Sequence, residues 1–347
     1  IDPREHTMSS LVDQSSSSDH RQLGRELELF ASSALVGAGL PLWLPAGAAA
    51  RHAIEEFIRE VERQAGYHHV CSPPLGRREM YERSGHLAKF GPDMFAPIPD
   101  GDDELVLRPS NCPHHAAVFA ARGRSYRDLP FRVAELGQMY RAERSGVLSG
   151  LSRVRAISLN DAHIFCTRKQ AGEEVRRVLA LMKQVHAALG FEPSGYRLSR
   201  RGQASSYLGA EADWALAEAM LRDALVEAGV PFVEVPGEAA FYGPKIDVQI
   251  VDPAGREWTL ATVQVDFHQP AAFNLSYVDS DAQRQRPVMV HRSLVGSLER
   301  LFGHLIEVHR GAFPAWYAPV QVVVLPVSED QADAALDVAR RCVAAGL

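Results

Sequence analysis

An α+β fold is predicted, with a largely antiparallel sheet flanked by helices, and three observations predict it. Strand-like stretches at 103–110, 131–143 and 153–166 follow one another with little between them. A hairpin is written into 245–268, around the turn residues Asp252, Pro253, Ala254 and Gly255. The helical patterns at 171–190, 212–230 and 291–311 stand in separate blocks instead of alternating with single strands. Regular alternation would argue for a doubly wound parallel sheet, whereas neighbouring strands argue for antiparallel pairing.

In chain order, "IDPREHT" precedes Met8 and reads as an expression-tag remnant, and "SSLVDQSSSSD" is a Ser-rich, loosely held leader. Residues 1–18 are therefore set apart from the fold. "DHRQLGRELELFA" (19–31) has helical periodicity with Asp19 as N-cap. "GAGLPLWLPAGAAA" reads as a Gly/Pro-rich loop. "ARHAIEEFIREVERQAG" (50–66) is an amphipathic helix that Gly66 ends. "YHHVCSPPL" is a short strand stopped at Pro73 and Pro74. The catalytic unit is expected to run over 19–313. Pro314 and Pro319 then punctuate a linker, "VQVVVLPV" has the continuous apolar character of a buried parallel strand, and a helix follows from Glu329. One strand and one helix cannot bury a core. Residues 314–347 are thus expected to be a linker and the first strand and helix of an incomplete second α/β domain.

Composition narrows the function classes. The 347 residues carry 37 Lys and Arg against 43 Asp and Glu, a net charge of −6, which disfavours polyanion binding by global charge but leaves room for a local basic cleft. Four cysteines, at 71, 112, 166 and 342, form no readable disulfide framework, and a reducing, cytoplasmic setting is expected. No apolar run reaches membrane-spanning length.

Two constellations carry chemistry. Arg132, Glu135, Arg141, Glu143 and Arg144 crowd one stretch, with Arg153 and Arg155 on the next strand and Arg300 on the last long helix. Guanidinium groups around a sheet-floored cleft suit bidentate phosphate or carboxylate binding. For an Arg/Glu series alone, salt bridging is the favoured reading. The second constellation is Cys112 with His114, His115, His163 and His291. Its spacing gives no paired-cysteine signature, so packing is the simpler account on spacing alone.

The blocks "RPSNCPHH", "SYRDLPFRVAELGQMYRAERSGVLSGLSRVR", "NDAHIFCT", "AAFYGPKIDVQI", "TVQVDF" and "RPVMVHRSLVGSLERLFGHLIE" resemble the catalytic core of the threonyl-tRNA synthetases, a class II aminoacyl-tRNA synthetase family. "RQLGRELELF", "GLPLWLPAGA" and "MYERSGHLAKF" resemble the same family, so the likeness covers the chain from about Asp19. It implies a class II antiparallel sheet followed by the start of an anticodon-binding domain, with no N-terminal editing domain within these residues. It implies activation of L-threonine by ATP and its transfer to tRNA(Thr), with a homodimer formed around 50–75.

The resemblance also assigns roles. It implies a zinc ion on Cys112, His163 and His291, with His114 and His115 returned to packing. The fourth position is left to the substrate's amino and hydroxyl groups. Asp161, Tyr242, Lys245 and Gln264 match substrate-pocket positions. Arg141 matches the arginine on the α-phosphate and the amino-acid carboxylate. Glu143 falls near the adenine, Arg153 at the γ-phosphate, and Arg300 under the adenine and γ-phosphate, with Mg²⁺ accompanying ATP. Arg141 and Arg300 are the expected catalytic pair, and His86 in "SGH" faces the tRNA 3′ end.

The chain departs from the family pattern at Ser110, where Met is common, at Leu159, where a Gln is usual, and at Leu260, Ala261 and Gln269. Drift, altered amino-acid selectivity and resistance to an inhibitor all remain open. So does a paralogue that activates a threonine-like β-hydroxy amino acid for a biosynthetic acceptor.

Overall fold

The computed structural model describes residues 19–203 and 207–347. The expected tag remnant and leader lie outside the described residues. An eight-stranded sheet forms the frame. In chain order its strands are β1 (His68–His69), β2 (Phe131–Tyr140), β3 (Ala156–Cys166), β4 (Gly195–Arg200), β5 (Phe232–Pro236), β6 (Lys245–Val251), β7 (Glu257–Asp266) and β8 (Val288–Ser293). Their order in space is β5-β4-β6-β7-β8-β3-β2-β1. Every pair from β4 to β2 is antiparallel, and the two edge pairs, β5 with β4 and β1 with β2, are parallel.

Alternation gives each strand one face for the core and one for the site. Ala162, Ile164 and Cys166 of β3, Val263 and Val265 of β7, and Val288 and Val290 of β8 join the main buried cluster. Covering that face are α4 (Arg168–Leu189) and α5 (Glu211–Glu227). Before them in the chain come α1 (His20–Glu26), α2 (Pro45–Gln64) and α3 (Cys112–Ala120); after them come α6 (Leu298–His309) and α7 (Ala332–Ala344). Sequence sets the helix ends. Thr167 and Gln170 form a capping box at α4, which stops at Gly190 in the left-handed region. Residues Ala50, Ile54, Ile58 and Val61 supply the buried stripe of α2.

Some boundaries differ from expectation. α2 begins at Pro45, inside the stretch read as a loop, because proline lacks a donor that the first helical turn does not need. The helix expected from 291 begins at Leu298, because Val288–Ser293 is an interior strand of the sheet. The hairpin over 245–268 is present as β6 and β7. The run at 320–327, expected to be a buried strand, joins no sheet among the described residues. Leu325 is 78% and Val327 93% exposed, since no neighbouring strand is there to pair with it.

A smaller three-stranded sheet, Leu75–Arg77, Asp103–Leu107 and Ile98–Asp100, is followed and interrupted by short helices at Arg78–Arg83 and His86–Phe90. This lobe brings His86 to the side of α3 that carries Cys112.

Candidate active site

On the sheet face opposite α4 and α5, register brings distant residues together. His163 of β3 lies opposite His291 of β8, and His291 lies opposite Gln264 of β7. A cleft of about 260 Å³ opens over them, lined also by Cys112 at the start of α3, Tyr242, Arg141 just past β2, and Arg300 in the first turn of α6. Two glycines permit this geometry. A Cβ on Gly243 would sit 2.2 Å from the Val265 carbonyl oxygen, beside Tyr242. One on Gly296 would sit 2.1 Å from that of Leu260, and its φ of +67° also favours glycine.

Cys112 Sγ and one ring nitrogen from each of His163 and His291 lie within 4.8 Å of one another, and all three residues are buried. The hydrogen bonds behind the rings fix their tautomers. His291 Nε2 is 2.7 Å from Asp266 Oδ2, a carboxylate that only accepts, so Nε2 carries the hydrogen and Nδ1 a lone pair. His163 Nδ1 is 2.6 Å from His115 Nδ1, and His115 Nε2 donates to Glu135 Oε2 at 3.1 Å. A hydrogen on His163 Nδ1 directed at His115 Nδ1 leaves a lone pair on His163 Nε2. Burial, with His291 and His115 nearby, holds the His163 pKa well below its usual value and keeps the ring neutral. Two lone pairs, His163 Nε2 and His291 Nδ1, thus face each other at 2.9 Å. That arrangement is favourable only with a cation or a shared proton at the site. A thiol and two imidazoles, each imidazole backed by a carboxylate-terminated chain, are a donor set that fits a zinc ion with one position left open. Burial pushes the Cys112 thiol well up, so its proton stays until a cation displaces it.

A second cluster, Asp19, His20 and Glu307, lacks this character. His20 Nδ1 lies 2.6 Å from Glu307 Oε1 and its Nε2 accepts from the Leu151 N–H, so both ring nitrogens are already engaged.

Around the metal position stand polar groups suited to a small polar ligand. Asp161 Oδ1 is 3.9 Å from His163 Nε2, and burial raises its carboxyl pKa. The Tyr242 ring stacks on His291 with centroids 4.9 Å apart. Gln264 Oε1 is buried with no hydrogen-bond partner among the described residues. A buried orphan acceptor in a cleft is costly unless a ligand donor meets it.

The arginine and glutamate series divides in two. Arg132 grips Glu174 with two 2.7 Å bonds, Arg108 holds Glu135 at 3.0 Å, and Arg153 pairs with Glu143 at 2.9 Å. Arg132 and Arg108 are thereby taken up in buried ion pairs. Arg141 and Arg300 have no carboxylate within ion-pair distance among the described residues. Arg141 reaches the Pro109 carbonyl at 3.4 Å, and Arg300 the carbonyls of Ser152 and Thr259 at 3.0 and 2.7 Å. Burial, then Arg141 and Arg153, bring the Arg300 pKa down to about 10. Desolvation in the cleft also lowers that of Arg141, although this residue stays open to solvent. Two arginines without a carboxylate at ion-pair distance in one cleft suit an anion.

Cys112, His163, His291, Asp161, Tyr242, Gln264, Arg141 and Arg300 therefore share one cleft. Glu143 and Arg153 pair with each other outside its lining. The Lys245 ammonium meets the buried Asp247 carboxylate, and His86 stands behind Ser110. Of the departures, Ser110, Leu159 and Leu260 line the cleft, while Ala261 and Gln269 are buried outside that lining. Sequence reasoning gave His115 to packing and Glu135 to salt bridging and passed over Asp266, whereas these three stand behind the two histidines. For Asp266 a signal existed: it lies two residues beyond Gln264 on the same strand face.

Comparison with known proteins identifies the family and the fold. The model of the tRNA synthetase class II core domain (G, H, P, S and T) matches residues 95–309. The structure of a threonyl-tRNA synthetase RNA-binding domain from Cryptosporidium parvum superposes with a TM-score of 0.90 at 37% identity, over 95% of this chain and 82% of that one. The chain belongs to the threonyl-tRNA synthetase family. A putative threonyl-tRNA synthetase of Aeropyrum pernix superposes with a TM-score of 0.80 at 31% identity, over 93% of this chain and 76% of that one. The threonine–tRNA ligase of Geobacillus kaustophilus is 48% identical over 333 residues, 95% of this chain and 51% of that protein. That of Thermus thermophilus is 48% identical over 334 residues, again 95% and 51%. The chain thus spans about half the length of these curated relatives. Giardia lamblia prolyl-tRNA synthetase, at 18% identity and a TM-score of 0.71, shares the fold. Among the described residues no helix is long and apolar enough to cross a membrane.

Proposed function

We propose that the chain activates L-threonine with ATP to threonyl-adenylate and transfers the threonyl group to tRNA(Thr). The observation that carries this reading is the joining, in one cleft, of the Cys112–His163–His291 donor set with two arginines that lack a carboxylate partner. In activation, a threonine carboxylate oxygen attacks the α-phosphorus of ATP, the bond to the bridging oxygen breaks, and pyrophosphate leaves. Arg141 binds the α-phosphate and the amino-acid carboxylate, and stabilises the charge that grows on the phosphoryl oxygens. Arg300 braces the adenine and γ-phosphate, with Glu143 near the adenine and Arg153 at the γ-phosphate. Mg²⁺ accompanies ATP. No side-chain nucleophile is required, and positioning and charge neutralisation supply the rate. In transfer, the terminal ribose hydroxyl attacks the adenylate carbonyl and AMP departs, with His86 on the tRNA side.

Cys112, His163 and His291 would hold zinc, which when bound supplies a Lewis acid for the substrate's amino and hydroxyl groups. Asp161 accepts from the hydroxyl, Gln264 Oε1 accepts a donor of the substrate, and Tyr242 lines the same space. Lys245 acts at the margin of this pocket through Asp247. Valine would leave the hydroxyl-reading groups unmatched, a discrimination of roughly 10⁴ or more, whereas serine lacks only a methyl, a factor of about ten to two hundred. The same reading implies a homodimer working in the cytoplasm.

The test is pyrophosphate exchange with threonine, serine and valine side by side, followed by charging of tRNA(Thr). Exchange with threonine, weaker exchange with serine and none with valine is the expected order. Threonine-dependent exchange without any tRNA charging would favour a biosynthetic acceptor instead. Serine rejected as fully as valine would overturn the account of the pocket.

A further inference from the structure

Behind the cleft lies an ion pair whose carboxylate belongs to the residue next to Arg300. Gln138 and Ser158 face each other in the register of β2 and β3, as do their neighbours Met139 and Ile157, which line the cleft. Side chains alternate along a strand, so Gln138 and Ser158 stand on the other face of the sheet. There Ser158 Oγ accepts from Gln138 Nε2 at 2.6 Å and from Arg51 Nη2 at 2.8 Å. Arg51 belongs to α2 and is itself held. Its Nε donates to Glu55 Oε1 at 2.8 Å, and its guanidinium carbon lies 4.9 Å from the centre of the Trp43 ring.

Glu299, the second residue of α6, reaches the same place from the other side. Its Oε2 accepts from the Ser158 N–H at 2.9 Å, and its Oε1 is 3.6 Å from Arg51 Nη1. Glu299 is buried, and Arg51 is the one cation at ion-pair distance from it among the described residues. Burial raises the Glu299 pKa, while the Ser158 N–H and the Arg51 cation act in the other direction. A buried ion pair contributes little net stability over apolar packing of the same volume. What this one does supply is a fixed distance between β3 and α6. Asn160 N–H donates to the Gly296 carbonyl at 3.0 Å, and Leu159 bridges Ser297. Those two links end before the helix begins, and Glu299 carries the tie into its first turn. The carbonyls of Ser152 and Thr259 fix the head of Arg300, and Glu299 fixes the backbone from which that long side chain starts.

We propose that Arg51 and Glu299 are positioning residues: their buried pair, anchored on Ser158, clamps the first turn of α6 to β3 and so sets Arg300 for ATP. The inference rests on the ATP role given to Arg300 above. Neither Arg51 nor Glu299 lines the cleft, so both act through Arg300 and not on a substrate. The groups expected to read the amino acid, Cys112, His163, His291 and Asp161, lie outside this clamp. Loosening it should therefore affect ATP and leave threonine alone.

The experiment measures threonine-dependent pyrophosphate exchange by the full chain, with ATP and threonine varied in turn and thermal unfolding recorded beside it. The proteins are wild type, Arg51→Met, Glu299→Gln, the double variant Arg51→Met with Glu299→Gln, and Arg300→Ala. In both single variants of the pair, kcat/KM for ATP is expected to fall by about 10- to 100-fold, since a displacement of about 1 Å far from the chemistry suffices for such a loss. KM for threonine should stay within a few-fold of wild type. The double variant should lose no more than the worse single one, because the two residues act as one unit. Where loss of the cation unfolds Arg51→Met, Glu299→Gln and the double variant carry the test, since neither leaves a buried carboxylate unpaired. Equal losses for ATP and threonine, losses that multiply in the double variant, or ATP kinetics within a few-fold of wild type in Glu299→Gln and the double variant all overturn the inference. Arg300→Ala separates this from the reading beneath it. A raised KM for ATP there keeps the role of Arg300 whatever the clamp does, and an unchanged one overturns that role and this inference with it.

Discussion

Arg141 and Arg132 sit nine positions apart and look alike in the sequence, yet they do different work. Arg132 is spent on Glu174, whereas Arg141 has only the Pro109 carbonyl and faces the cleft. Arg141→Ala is therefore expected to lower threonine-dependent pyrophosphate exchange by about 10²–10³ while thermal unfolding is unchanged. Exchange within a few-fold of wild type would return Arg141 to a structural role. Glu135 gives a prediction in pH. Burial opposes its charge, but hydrogen bonds from His115 and Ser72 and the Arg108 cation hold its carboxyl pKa down at about 2. A depressed carboxyl pKa stabilises the fold above the unfolded value and loses that stability as pH falls toward the folded one. Wild type should thus lose roughly 3 kcal/mol of unfolding free energy between about pH 4.5 and 2 on this account, and Glu135→Gln should flatten that part of the profile. Denaturant melts of both proteins across this range check it; parallel profiles would show that Glu135 is not the group responsible. Which arginine would be free could not be read from spacing, because the partners of Arg132 and Glu135, Glu174 and Arg108, lie in other elements. His115 was hidden for the same reason: its role depends on the register that sets His163 across from Val133.

At the level of elements, the legible features were those written by local chemistry. The hairpin of β6 and β7 follows from its turn residues, whereas the helix expected from 171 begins at Arg168, where Thr167 and Gln170 cap it. The short strands β4 and β5 were not expected, since five or six residues with partly exposed side chains leave little periodic signal. The boundary between β8 and α6 was missed because "VMVHRSLVGSLERL" stays apolar through the change of structure. What divides it is Gly296, then Ser297, whose Oγ accepts from the Arg300 N–H at 3.1 Å. Ser297→Ala removes that cap and leaves the donor unsatisfied. The expected cost is about 1 kcal/mol, seen as roughly 2 °C in Tm by calorimetry. An unchanged Tm would mean that the first turn of α6 is held by packing alone. The Arg300 head is fixed separately by the carbonyls of Ser152 and Thr259, so the loss belongs to the helix.

For the whole molecule, the antiparallel centre of the sheet was legible, as was a strand at the β1 edge, while β4 and β5 at the other edge were not. The edge at β1 carries the remaining prediction. β1 has two residues, His68 and His69, both exposed, and it pairs on one side only, with β2. An unpaired strand edge invites a further partner or needs protection from one. Beside it, α2 spends its buried stripe on the core and turns Glu56, Arg59, Glu60 and Arg63 outward. Another copy related by a two-fold axis would bring the same edge and the same helix together and cover both, because such an interface is self-complementary. The chain is accordingly expected to form a homodimer through 50–75, with an interface on the order of 1,600 Å². Light scattering at micromolar concentration should return twice the chain mass. Replacing His68 by Glu would place like charges across the axis and shift the mass toward one chain, with circular dichroism unchanged. A single-chain mass for the unmodified protein at that concentration would rule the arrangement out.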